Sequence, residues 1–146
     1  MMSRLKLALG AVLASVALIA CTPSPTAVAA NVTGSADMNG GLPAKATIFY
    51  LASTAKFNAS DYAALAVNPQ ATLGADLLGT QDVLLSPGQT KQAGRSFEGE
   101  GPSAVGVVVG FRALSTAQWR TTTSIGSGRV NALTVAIGSG SVKITK

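Results

Sequence analysis

One cysteine and no histidine set the terms for this chain. Cys21 stands alone among 146 residues, so no disulfide can close within the chain and the fold must hold by its core. With no imidazole and no second thiol, zinc lacks its ordinary ligands and a serine lacks a base to activate it. The position of the cysteine is as informative as its solitude. It ends the one long apolar run, Leu7 to Ala20, which follows Arg4 and Lys6. A basic start, an apolar middle and a small residue at the cut are the parts of a secretory signal peptide. A transmembrane helix needs about 20 apolar residues, and this run is shorter. A buried core helix would have no use for the basic start.

Leu18-Ile19-Ala20-Cys21 resembles the lipobox of bacterial lipoproteins. The resemblance implies that the Cys21 thiol takes a diacylglyceryl group, that residues 1–20 are removed, and that the freed amine is acylated. Cys21 then opens the mature protein and anchors it to a membrane. A competing cut after Ala27-Val28-Ala29 would fit an A-x-A site and release a soluble protein; the cysteine directly after Ala20 favours the lipobox. Thr22 stands where an aspartate holds many enterobacterial lipoproteins at the inner membrane, which favours the periplasmic face of the outer membrane. Residues 22–30 (TPSPTAVAA) read as a flexible tether, because Pro23 and Pro25 lack donors and favour extended backbone. Stretched out, such a tether reaches roughly 30 Å. The expected organisation is a removed signal at 1–20, a lipidated cysteine and tether at 21–30, and one domain at 31–146.

That domain is rich in Gly, Ala, Thr, Ser and Val and poor in charge, a composition that favours strands and turns. Nine basic residues against six acidic ones, with no basic run, give no footprint for nucleic acid. Asn31 to Ala36 is expected as a first strand, followed by a turn-rich loop from Asp37 to Pro43. Ala46 to Leu51 (ATIFYL) is expected as a second strand, with Ile48 and Tyr50 on one face, Phe49 and Leu51 on the other, and both faces covered. The period then changes. Phe57 to Val67 is expected as one short helix, with Asn58 as N-cap, Asp61 three residues on, and a Phe57–Tyr62 staple; Asn68-Pro69 ends it. Ala71 to Leu78 reads as a further turn or helix. Asp82 to Leu85 and Thr90 to Phe97 are expected as strands around Ser86-Pro87-Gly88-Gln89, which fits a type II turn. Val105 to Arg112 is the strongest strand, with Gly106 and Gly110 on one face where a backbone or a large side chain can pack closely. A segment from Trp119 to Ile125 and a hairpin of Val130 to Ile137 with Ser141 to Thr145 complete seven or eight strands. The pattern is that of an all-β two-sheet sandwich with a short inserted helix.

Chemistry is sparse. Glu98 and Glu100 sit in a glycine-rich loop with no partner base, and Gly138-Ser139-Gly140 is no phosphate loop. Trp119 beside Arg120 reads as a core anchor, with sugar or partner stacking as the rival reading. No enzyme, no metal, no small-molecule substrate and no cofactor beyond the covalent lipid on Cys21 is expected.

Read in order, the lipobox is followed by F-x-x-x-D-Y-x-A-L at Phe57 to Leu65 and L-G-A-D-L-L at Leu73 to Leu78. Next come L-x-P-G-Q-T at Leu85 to Thr90, V-G-V-V-x-x-F-R-x-L at Val105 to Leu114, and Trp119-Arg120. This succession resembles the TssJ (SciN, VasD) family of type VI secretion lipoproteins. The resemblance implies a transthyretin-like sandwich of two four-stranded sheets with an added helix. It also implies a structural role: anchoring the secretion system's membrane complex at the outer membrane by binding the periplasmic domain of TssM, with TssL in the same complex. The loop that contributes to that contact in the family matches Asn39, Gly40, Gly41, Leu42 and Pro43, flanked by Ala44 and Lys45. Where family members often carry a charged segment, this chain has Gly41-Leu42-Pro43-Ala44. The alternative is a small-ligand or glycan-binding lipoprotein, with Tyr50, Tyr62 and Trp119 lining a groove.

Overall fold

The computed structural model describes residues 23–146; the signal segment at 1–20, Cys21 and Thr22 lie outside the described residues. Among the described residues, eight strands form two sheets: β1 (Thr26–Gly34), β2 (Ala44–Leu51), β3 (Leu77–Leu85), β4 (Thr90–Phe97), β5 (Ala104–Val109), β6 (Arg120–Ser124), β7 (Val130–Ile137) and β8 (Val142–Thr145). One sheet runs β4-β1-β7-β8, the other β3-β2-β5-β6. Every pair is antiparallel except β1 with β7, which are parallel from Ala27↔Val130 to Gly34↔Ile137. This is the expected all-β sandwich of two four-stranded sheets with helical segments inserted after β2.

Period-two patterning builds the core. Val28, Ala30 and Val32 of β1 and Leu133, Val135 and Ile137 of β7 face inward. They meet Ile48 and Tyr50 of β2 and Val105, Val107 and Val109 of β5. The other faces of β2 and β5 are also covered. Phe49, Leu51, Ala104 and Val108 pack beneath Phe57, Leu65 and Leu73 of the helical segment. Gly106 makes this second layer possible: a Cβ there would lie 2.7 Å from Phe57 Cζ, so the ring occupies the space a side chain would fill.

Where one helix was expected over Phe57 to Val67 there are two, α1 (Ala55–Ala59) and α2 (Tyr62–Val67), and the further turn or helix read over Ala71 to Leu78 is α3 (Pro69–Leu73) with a 3-10 turn at Gly74–Asp76. Asp61 breaks the run. Its backbone is extended and its carboxylate accepts from Ala64 N at 2.8 Å, so it caps α2 rather than continuing a helix capped by Asn58. The staple is not formed as expected either; Phe57 packs edge-on to Phe49 and Tyr62 to Trp119. Asn68-Pro69 ends α2, and Asn68 also caps α3 with Pro69 in its first turn.

The first strand begins five residues before the expected position. Thr26 to Ala30, read as tether, belong to β1, hydrogen-bonded to β4 on one side and β7 on the other. Small residues look like linker in a sequence, but a central strand tolerates them when neighbours supply the bulk. The folded domain therefore starts at Thr26, and only Pro23–Pro25 of the described tether remain outside it. Likewise β2 takes in Ala44 and Lys45, and β3 begins at Leu77, within the last two residues of the segment read as a turn or helix and five residues before the expected Asp82.

Gly106→Val should displace Phe57 and lower unfolding free energy by about 1–3 kcal/mol, the usual cost of overpacking. A urea melt would show it as a lower midpoint at unchanged slope; an unchanged midpoint would mean that the helical layer is not packed as described.

Candidate partner-binding site

Four connections meet where β1, β3, β5 and β7 end: residues 35–43, 86–89, 110–119 and 138–141. The 86–89 turn has the expected form. Gln89 N donates to Ser86 O at 3.1 Å and Gly88 takes φ +76°, which glycine adopts without strain. Gly88 N in turn donates to Gly34 and Ser35 carbonyls, fastening this turn to the start of the 35–43 loop.

Asn39 organises that loop. It is the one described non-glycine residue with positive φ (50°), a conformation asparagine tolerates better than most residues. Only 7% exposed, it turns its amide inward. Its Oδ1 accepts from Arg112 N at 2.7 Å and its Nδ2 donates to Pro43 O at 3.0 Å, while its own N–H donates to Gly138 O at 3.2 Å. One residue thus ties three loops together. Beneath it Met38 is buried in the inter-sheet core.

The seven expected contact residues therefore divide. Gly40, Gly41, Leu42 and Pro43 are exposed and form the crest of the loop. Asn39 and Ala44 are buried beneath the crest. Ala44 is paired with Leu85 at the start of β2, and Lys45 next to it points outward with Nζ 3.9 Å from Asp82. Beside the crest, a hollow of about 230 Å³ is lined by Gly40, Phe111, Arg112, Ala113, Thr116 and Gly140 among others. Arg112 was read as the end of a strand and as part of the Val105–Leu114 motif; the strand ends at Val109, and Gly110 to Arg112 belong to the following loop. Nothing local in the sequence joins them to Asn39, because the link is a hydrogen bond across 73 positions.

Other candidate residues serve the fold. The Arg120 guanidinium lies 4.8 Å from the Trp119 ring centroid and donates to the carbonyls of Phe57 (3.0 Å) and Ser60. Tyr62 packs edge-on to the same indole at 5.4 Å. Trp119-Arg120 therefore clamps the helical segment onto the sheet. Tyr50 is buried between the sheets and donates its hydroxyl to Gln81 Oε1 at 3.0 Å. Tyr50 lies in the inter-sheet core while Tyr62 and Trp119 pack together beside the helical layer, so the three aromatics are not brought together as the ligand-binding alternative expected. Glu98 and Glu100 are exposed in the β4–β5 loop.

Burial pushes the Tyr50 hydroxyl above its ordinary value of 10.0, and the nearby Arg95 offsets part of that rise. Ionisation is then easier in the unfolded chain, so this contribution is intact below about pH 10 and is lost as pH rises beyond it. Urea midpoints should fall more steeply between about pH 9 and pH 11 for the native chain than for Tyr50→Phe; identical slopes would contradict the assignment. Asn39→Ala should cost about 1–3 kcal/mol by leaving the Arg112 N–H and the Pro43 carbonyl without partners. Hydrogen exchange at Arg112 should accelerate in the variant, and unchanged protection there would refute the bridging role.

Comparison with known proteins agrees with this architecture. The model of the type VI secretion lipoprotein family (SciN, VasD, EvfM, TssJ) matches residues 26–140. No curated protein sequence matches the chain. Among solved structures, the chain is similar to the type VI secretion lipoprotein TssJ1 of Pseudomonas aeruginosa at 28% identity and a TM-score of 0.77, covering 83% of this chain and 95% of that one. It is similar in fold to Serratia marcescens Lip, a membrane-bound component of the type VI secretion system, at 21% identity and a TM-score of 0.76, covering 84% and 97%. A chain of the structure described as the type VI secretion protein TssM C-terminal domain from EAEC shares the fold at 18% identity and a TM-score of 0.66, covering 81% and 99%.

Proposed function

The chain belongs to the type VI secretion lipoprotein family, and on that premise we propose that it is the lipid-anchored structural component that tethers the secretion system's membrane complex to the outer membrane. It does so from the periplasmic face, through acylated Cys21, by binding the periplasmic domain of TssM, with TssL in the same complex. The observation that carries this reading is the exposed crest Gly40-Gly41-Leu42-Pro43, held in shape by Asn39. A loop fixed before binding loses little conformational freedom when it docks, which favours affinity. Leu42, 40% exposed at its apex, is the natural apolar anchor.

The lipid has its own physical logic. One acyl chain holds a membrane marginally, whereas two or more signals hold firmly. Tri-acylated Cys21 would be a durable anchor, and confinement to the membrane raises the effective concentration of the domain for a partner held nearby. This role requires no catalysis.

Cys21→Ser should release the chain from the outer-membrane fraction and abolish effector delivery while leaving the contact with TssM intact. Normal delivery by a demonstrably non-acylated Cys21→Ser protein would defeat the anchoring role.

A further inference from the structure

The two ends of the sandwich are not equivalent, and β1 decides which is which. It enters at Thr26 and leaves at Gly34, so roughly 26 Å of strand separates the chain's entry from the 35–43 loop. The entry is clamped from its first residue. Thr26 is fully buried, its Oγ1 accepts from Gly128 N at 2.8 Å, and Ala27 N donates to Arg129 O at 3.0 Å. Gly101 of the β4–β5 loop presses on it so closely that a Cβ there would come within 2.8 Å of Thr26 Cβ.

Four residues separate Thr26 from Cys21. Fully extended, that connection spans at most about 18 Å. An acyl anchor at Cys21 therefore holds the entry end close to the leaflet, and the strand itself, not a long tether, carries the opposite loop away.

The entry end is also chemically lopsided. Sheet order places β4 on one side of β1 and β7 with β8 on the other. On the β4 side the next residues include Glu98 and Glu100, both exposed. On the other side β7 opens with Val130, 68% exposed, and a shallow groove there is lined by Arg129, Val130 and Lys146. Two cations beside an exposed apolar side chain, with Lys146 Nζ donating to Ser124 Oγ at 3.3 Å, suit a surface of lipid phosphates over acyl chains better than two carboxylates accompanied by Arg95 alone.

We infer that the β7 side of the entry end, with Arg129, Val130 and Lys146, rests on the phospholipid leaflet, so that the Gly40–Pro43 crest faces away from the membrane. The inference rests on the acylation of Cys21. Once the anchor is in place the contact is intramolecular in effect, so even a weak preference sets orientation.

The test uses the full chain, acylated during expression, with a single thiol introduced by Val130→Cys, Glu98→Cys or Leu42→Cys. All three positions are exposed, and the thioether on Cys21 leaves the new thiol as the only one to label. Each dye-labelled protein is placed in vesicles of phosphatidylethanolamine and phosphatidylglycerol containing a lipid with a headgroup nitroxide quencher. The dye at 130 should lose most of its emission, the dye at 98 clearly less, and the dye at 42 almost none. Equal loss at 130 and 42, or greater loss at 42, would overturn the orientation. Equal loss at 130 and 98 would overturn the choice of side. An intact mass without acyl chains would overturn the anchor, and the orientation with it, so the two failures are told apart.

Discussion

Much of this structure depends on β1 being hydrogen-bonded along both edges. It pairs antiparallel with β4 and parallel with β7, so it is a central strand whose ends are fixed by the sheet around it. A parallel pair cannot be closed by a hairpin, and almost the whole chain is laid down before β7 returns to β1. The long-range contact sets the polarity of the domain. The chain enters at Thr26 on one end, and the 35–43 loop leaves from the other.

The second sheet depends on β2 having two apolar faces. Ile48 and Tyr50 meet the first sheet, while Phe49 and Leu51 need cover from outside. The helical segment supplies it, and Arg120 locks it in place by donating to the Phe57 and Ser60 carbonyls beside the half-buried Trp119. With no disulfide available to the chain, this doubled burial stands in for covalent bracing. A rigid sheet pair below, and Asn39 bridging three loops above, give the crest a fixed shape.

What was legible in the sequence follows from how local each signal is. The two faces of β2, the alternation of Val105, Val107 and Val109, the Pro87-Gly88 turn and the full extent of β4 and β7 all rest on neighbours in sequence, and all appear as read. Thr26 to Ala30 did not, because Ala27, Ala29 and Ala30 carry little strand signal and their place is set by partners up to 104 positions away, as in the Asn131 bond to Ala27. The helix boundaries shifted because Asp61 and Asn68 each gain more as caps than as interior residues. At the site, the crest was found through family resemblance, but the inward turn of Asn39 and the approach of Arg112 were not. A buried bridging amide and an exposed contact residue are the same letter in a sequence.

Binding of TssM by the loop end of this domain, as proposed, is open to a direct test. The most direct measurement is calorimetric titration of residues 23–146 with the periplasmic domain of a TssM from the same organism, next to a variant in which Gly41-Leu42-Pro43 is replaced. The expected dissociation constant is about micromolar or tighter, roughly −8 kcal/mol, weakened about tenfold or more by the replacement. A folded domain that gives no heat with TssM, or a replacement that leaves the affinity unchanged, would contradict it.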